Sequence, residues 1–134
     1  MFVDASALIA LLSGEREATR VSNALVAATS RITSPIAVLE TALGLSRPDK
    51  FDRSIAELEP MILEFLEIRD IEIRDMPPAA EATQLTLHAA HHFRKGRHGL
   101  NLGDCLHYAC AKYYDVPMLA TDSEFKQTDL DVAD

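Results

Sequence analysis

The chain predicts an α/β fold, a sandwich in which a mainly parallel sheet is flanked by helices. Three observations carry that expectation. Short apolar runs of strand length, "MFVD", "RITS", "IEI" and "VPMLATD", alternate with longer segments whose apolar residues recur at helical spacing. Alternation of this kind builds βαβ units, whose crossovers lay helices on a parallel sheet. The first and last runs each end on an acid, Asp4 and Asp122, and in such sheets ligands gather outside the carboxyl ends of the strands.

The elements follow in order. "MFVD" is a buried strand ending at Asp4, and "ASALIALL" is a helix that Ser13-Gly14 stops. Glu15 to Thr29 places Ala18, Val21, Leu25 and Val26 on one helical face, and "RITS" is the second strand. Ser34 caps a helix with Pro35 at its first position, and Val38, Leu39, Ala42 and Leu45 form its apolar side. Beyond the hinge "SRPDK", Ile55, Leu58, Ile62, Phe65 and Leu66 mark another helix, which Pro60 should kink or restart. "IEI" is the third strand. Pro77-Pro78 introduces a helix to about Phe93, "RKGRHGLN" is a basic loop, and "LGDCLHYACAKYY" is helical again. The strand "VPMLATD" and a short tail containing "DLDV" complete the chain.

Composition bounds the function. With 134 residues, 48% of them hydrophobic, the chain suits one domain, residues 1–134, around a single core. No apolar run approaches the roughly 18 residues that a membrane span needs, and the N-terminus lacks a basic flank and cleavage site, so a cytoplasmic protein is expected. Cys105 and Cys110, five positions apart on one helix, face different ways and cannot bridge, which fits a reducing compartment. The net charge of -8 argues against a general electrostatic grip on nucleic acid. Any such role requires local basic residues or bound cations.

Four acids stand where the apolar pattern does not ask for them. Asp4 lies at the edge of the core, where a lone carboxylate must be paired, protonated or bound to a metal. Glu40 lies within the Ser34-capped helix, Asp104 opens a late helix, and Asp122 follows the last strand. Each has an ordinary explanation: Asp4 as a helix cap, Asp104 as a complement to the helix dipole, Glu40 as a solvated residue, Asp122 as a turn former. Together they form an ordered series along the chain.

That series and its surroundings, "FVDASAL", "SPIAVLETAL", "KGRHGLNLGDCLHYACAK" and "PMLATDSEF", resemble the PIN-domain ribonucleases, and more narrowly the VapC toxins of bacterial toxin–antitoxin pairs. The resemblance implies a PIN-like three-layer sandwich. It also implies the toxin of a type II toxin–antitoxin system, an endoribonuclease hydrolysing RNA phosphodiester bonds. Its implied partners are a VapB-like antitoxin, a second copy in a homodimer, and single-stranded or looped RNA. The sequence departs from the family around the fourth acid: Thr121, Asp122, Ser123 and Glu124 precede Phe125, so Asp122 and Glu124 compete for that corner, and Asp122 is favoured as nearer the strand end.

The chemistry follows from the residue types. Hard cations such as Mg²⁺ or Mn²⁺ prefer carboxylate and water oxygens, and one or two of them can activate water against a phosphodiester. Asp4 and Asp104 are the principal expected ligands, with Asp122 a further ligand and Glu40 a second-site ligand or water-orienting group. Ser6 and Thr121 are placed to hold carboxylates or waters. Arg94, Lys95, Arg97 and His98 are candidates for contact with the RNA backbone. His107, one turn after Asp104, is open between packing and support of the acids. His88 and His92 have zinc-like i,i+4 spacing but no evident third ligand, and a solvated face is preferred. A PIN-like domain that binds RNA or a partner without cutting remains the alternative.

Overall fold

In the computed structural model, which describes residues 1–134, a four-stranded sheet has the order β3-β2-β1-β4, with all neighbours parallel. Its strands are β1 (Phe2–Val3), β2 (Ile32–Thr33), β3 (Glu72–Ile73) and β4 (Met118–Leu119). Between them run α1 (Ala5–Ser13), α2 (Ala18–Ala27), α3 (Pro35–Leu45), α4 (Ile55–Ile68), α5 (Ala79–Phe93) and α6 (Leu102–Tyr113), with a 3₁₀ turn at Glu124–Gln127 after β4. The chain steps outward from β1 to β2 to β3, then returns to place β4 on the other side of β1. The crevice between the ends of β1 and β4 is therefore the topological switch point, where parallel sheets open room for a ligand.

Alternation along each strand divides the core into two layers, as pleated geometry requires. Val3 and Leu119 face a cluster with Leu8, Val21, Leu25, Leu45, Leu58 and Ile62, contributed by α1 to α4. Phe2, Ile32 and Met118 face Ala89, Cys105, Tyr108 and Phe125, contributed largely by α5 and α6. The result is three layers, helix–sheet–helix. Arg20 fastens the outer edge: its guanidinium donates to Ala120 O at 2.9 Å and to Ala133 O at 3.3 Å, and it pairs with Glu17 at 2.8 Å. Both cysteines are buried free thiols. No helix is long and apolar enough to cross a membrane.

Several boundaries differ from expectation. Gly14 ends α1 in the left-handed region at φ 66°, and Glu15 to Glu17 form a turn, so α2 begins at Ala18 rather than Glu15. The face that α2 buries is Val21, Ala24 and Leu25, and Val26 is 75% exposed. On α3, Ala37, Thr41, Ala42 and Leu45 are buried whereas Leu39 faces outward. Helix α4 runs unbroken through Pro60. Proline removes the single bond to Ala56 O, and burial of Leu58, Ile62 and Leu66, together with the Ser54–Glu57 capping box, holds the rest. Strand β4 stops at Leu119, three residues short of Asp122, and the tail pairs with its outer edge through Met118 and Val132.

Because Ile62 is 1% exposed in the layer built by α1 to α4, Ile62→Ala should destabilise the fold by about 2–5 kcal/mol. Urea unfolding should show a lower midpoint at an unchanged slope.

Candidate active site

Asp4 begins the site. Leaving β1, it adopts an extended conformation (φ -73°, ψ 158°) as the N-cap of α1. Its Oδ2 accepts from the Ser6 backbone N–H at 3.0 Å and from the Ser6 hydroxyl at 2.6 Å. The Ser6 hydroxyl oxygen in turn accepts from the Thr121 N–H at 3.0 Å. One side chain thus ties the start of α1 to the exit of β4, across the switch point. Thr121 contributes through its backbone. The other oxygen, Asp4 Oδ1, is buried without a hydrogen-bond partner. A bare buried carboxylate oxygen is costly unless something outside the chain satisfies it.

Two helices bring further groups to that oxygen. Glu40 projects from α3, and His107 from α6 is fully buried beside it, with Nε2 at 2.7 Å from Glu40 Oε2 and 3.7 Å from Asp4 Oδ1. The Glu40 carboxylate also lies hard against the first turn of α6, since a Cβ on Gly103 would stand 1.9 Å from Glu40 Oε1. Glycine at that position leaves this space to the carboxylate. Asp104 follows directly, in a reciprocal cap: Asn101 Oδ1 accepts from the Asp104 N–H at 2.8 Å, and Asp104 Oδ2 accepts from the Asn101 N–H at 3.0 Å. The ordinary explanations for Asp4 and Asp104 as caps are therefore both realised, and each leaves one carboxylate oxygen uncommitted to its cap.

The acids feel one another. Burial pushes Asp104 up to about 6 against the opposing pull of the Asn101 N–H, and the charges of Asp4 and Glu124 add to the rise. Asp122 is also raised, first by its partial removal from water, then by Glu124, Asp4 and Glu15. For His107, burial acts downward but is outweighed by the hydrogen bond to Glu40 and the charges of Asp4, Glu40 and Asp104, so it is raised.

His107 thus links Asp4 and Glu40, the charge of Asp4 reaches Asp104, and Asp122 stands exposed on the rim. Glu124, in the 3₁₀ turn, has a buried oxygen, Oε2, without a partner, and its charge acts on both Asp104 and Asp122. His107 could be found from the sequence by its i+3 spacing from Asp104, which puts both on one face of α6. Nothing in the local sequence pointed to Glu124 over Asp122.

These donors suit a hard cation. They are oxygens on acidic groups, two of them buried and unpartnered, with several negative charges focused on one crevice. No three His, Cys, Asp or Glu side chains are drawn together tightly enough to enclose an ion by themselves. An ion here would keep water in part of its shell, as Mg²⁺ commonly does. The same holds for His88, His91 and His92: the His88 and His92 rings lie 4.3 Å apart on the surface of α5, and no third ligand completes a set.

Arg94, Lys95, Arg97 and His98 lie exposed on the loop before α6. The His98 carbonyl accepts from Gln127 Nε2 at 3.2 Å, which pins this loop beside the turn carrying Glu124. On the other side of the acids, Ser6, Thr121 and Asp122 line a basin of about 290 Å³ with Arg47 and Lys50. In that basin Lys50 is paired with Glu15 and Arg47 with Asp49, so the unpaired basic groups near the crevice are those of the loop before α6.

Comparison with known proteins agrees with this arrangement. The PIN domain family model matches residues 1–130. The chain is similar to the ribonuclease VapC36 of Mycobacterium tuberculosis, 38% identical over 98% of this chain and 91% of that one. It also matches the ribonuclease VapC of Mycolicibacterium smegmatis at 31% identity over 97% of each. Among solved structures, Mycobacterium tuberculosis VapC20, a toxin cleaving the sarcin-ricin loop, superposes with a TM-score of 0.72 at 16% identity, covering 96% of this chain and 95% of that one. FitAcB from Neisseria gonorrhoeae gives 0.67 at 22% identity, covering 99% and 96%. The chain belongs to the PIN-domain family, within its VapC ribonucleases.

Proposed function

We propose that this protein is the toxin of a type II toxin–antitoxin pair, an endoribonuclease that hydrolyses RNA phosphodiester bonds with Mg²⁺ or Mn²⁺ held by its acidic crevice. The observation that carries this reading is Asp4 Oδ1, buried and unpaired at the switch point, with His107 Nε2 3.7 Å away and the charges of Asp4 and Glu124 both acting on Asp104. Asp4 and Asp104 would hold the ion. Glu124 and Asp122 close the crevice on the β4 side, with Glu124 inward and Asp122 on the rim. Ser6 holds Asp4 in its rotamer by accepting from Thr121 and donating to Oδ2. Glu40, whose carboxylate borders both Asp4 and α6, is positioned to orient the attacking water. Bound there, the ion supplies the charge that stabilises the phosphate in an in-line displacement and lowers the pKa of a coordinated water. Arg94, Lys95, Arg97 and His98 hold the RNA backbone against an otherwise acidic molecule. A cytoplasmic site of action belongs to the same reading, since the substrate is RNA and both thiols are free.

The partner surface lies on α3 and α4. Between them is an apolar groove of about 250 Å³ lined by Pro35, Val38, Leu39, Ile55, Ile62 and Leu63, with Leu39, Ile55 and Leu63 respectively 54%, 40% and 43% exposed. A VapB-like antitoxin segment laid in this groove would cover the outer face of α3, the helix that carries Glu40 on its inner side. Leu87 and Leu102, 66% and 72% exposed on the opposite helical layer, offer apolar surface for a homodimer.

Purified protein freed of antitoxin should cleave single-stranded RNA with Mg²⁺ or Mn²⁺ and stop with chelator. Asp4→Asn and Asp104→Asn should each lower the rate by at least about 100-fold while remaining folded, in line with losing a group that holds the ion. Binding of RNA by the parent without cleavage would instead favour a non-catalytic PIN domain.

Metal-free stability gives a second test. The folded pKa of Asp104, about 6, lies above its ordinary value of 3.8, so the folded form binds the proton more tightly than the unfolded chain. Its contribution is most favourable below about pH 4 and is lost as pH rises to about 6. With chelator, Asp104→Asn should therefore melt higher than the parent at pH 7.5, the gap closing below pH 4. Saturating Mn²⁺ should raise the parent's Tm and leave the variant's nearly unmoved. On the groove, Leu63→Asp should abolish co-purification with the antitoxin and leave RNA cleavage unchanged.

A further inference from the structure

His107 has no assigned role, yet it occupies the centre of the site. It is fully buried, and its Nε2 stands 2.7 Å from Glu40 Oε2. The same nitrogen is 3.7 Å from Asp4 Oδ1, beyond hydrogen-bond range, so one nitrogen is shared unequally between two carboxylates. The ring packs on Phe2 of β1 with centroids 5.8 Å apart, which fixes its plane. Nδ1 is buried without a partner, leaving Nε2 as the side chain's single polar connection. Glu40 is then held at Oε2 by His107, while Oε1 occupies space that a side chain at position 103 would otherwise take. A half-exposed glutamate on a helix surface has many rotamers, and the bond from His107 restrains this one.

We infer that His107 is a positioning residue: by donating from Nε2 to Glu40 it locks that carboxylate beside the free Asp4 oxygen and the start of α6. The inference rests on the reading of the crevice as a metal-dependent nuclease site and deepens it. An imidazole this far inside the core is not required by packing, since an apolar side chain of similar size would fill the same volume without a buried polar atom. What it supplies is a donor at a fixed place. Groups that orient ligands around an ion are typically worth about 10–100-fold in affinity or rate. The loss is expected in turnover rather than in RNA binding, because His107 is sealed from solvent and does not reach the substrate.

The test compares His107→Leu, which fills the space without a donor, with His107→Gln, whose amide can donate along a similar path. In the parent, proton NMR should show a slowly exchanging imidazole N–H that Glu40→Ala removes. His107→Leu should cut kcat by about 10–100-fold with KM for RNA within about twofold, and His107→Gln should recover to within about threefold of the parent. Mn²⁺ titrated into antitoxin-free protein should bind about tenfold more weakly to His107→Leu and unchanged to His107→Gln. Absence of the imidazole signal overturns the inference, as does a folded His107→Leu protein with parental kcat, or a His107→Gln protein as impaired as His107→Leu. Should no version cut RNA, the nuclease reading fails. The inference then stands if Mn²⁺ affinity separates Leu from Gln, and falls if it does not. Should His107→Leu fail to fold, His107→Phe takes its place with the same expected losses.

Discussion

The site depends on a carboxylate that the fold satisfies only by half. Asp4 is 5% exposed, and one of its oxygens is fully occupied by the cap of α1 and by the Ser6 hydroxyl. The cap fixes the rotamer, and the rotamer leaves the second oxygen bare in the crevice. In the proposed function, stability and chemistry draw on the same side chain. An ordinary N-cap would sit at the surface with its second oxygen in water. Here Phe2 and Val3 bury the strand on both faces, so the residue that follows them cannot reach solvent in the same way.

Topology determines what meets Asp4. Since β4 inserts beside β1 after the chain has built β2 and β3 on the other side, the helices on either layer converge with their ends near the same crevice. Helix α3 belongs to one layer and α6 largely to the other, and the Glu40–His107 bond joins them across the end of the sheet. Gly103 allows the approach. Asp104 and Asp122 are raised first by their removal from water and then by the neighbouring acids, so their charged forms are held there at a cost. Functional sites commonly carry such local cost, supported by a core that is otherwise well packed.

Much of this was legible in the chain. Periodicity located every helix, and the positions of Asp4 and Asp104 stood out because a charge follows or opens an apolar register. Boundaries were less legible: Gly14 ends α1 cleanly, but the turn at Glu15 to Glu17 has helical composition, and its backbone bond from Ala18 N–H to Glu15 O marks it as a corner. Pro60 misleads because its helix is held by three buried apolar residues rather than by propensity. Outward-facing Val26 and Leu39 have the composition of core residues, and the sequence alone does not say which side of a helix another element will cover. Glu124 and His107 stood out in the sequence only as neighbours of the expected acids, one competing with Asp122 and one a turn after Asp104. Their importance comes from tertiary placement, one through a 3₁₀ turn that folds inward after β4 and the other through the packing of α6 on β1.

The most direct test is to grow crystals of the antitoxin-free protein with Mn²⁺ and measure anomalous scattering near the manganese edge. The account predicts a peak bonded to Asp4 Oδ1, within about 2.5 Å, with an Asp104 oxygen and water completing the shell. A protein that binds Mn²⁺ with its strongest peak away from Asp4, or a crevice in which the Asp4 oxygen stays bare at saturating metal, would contradict it.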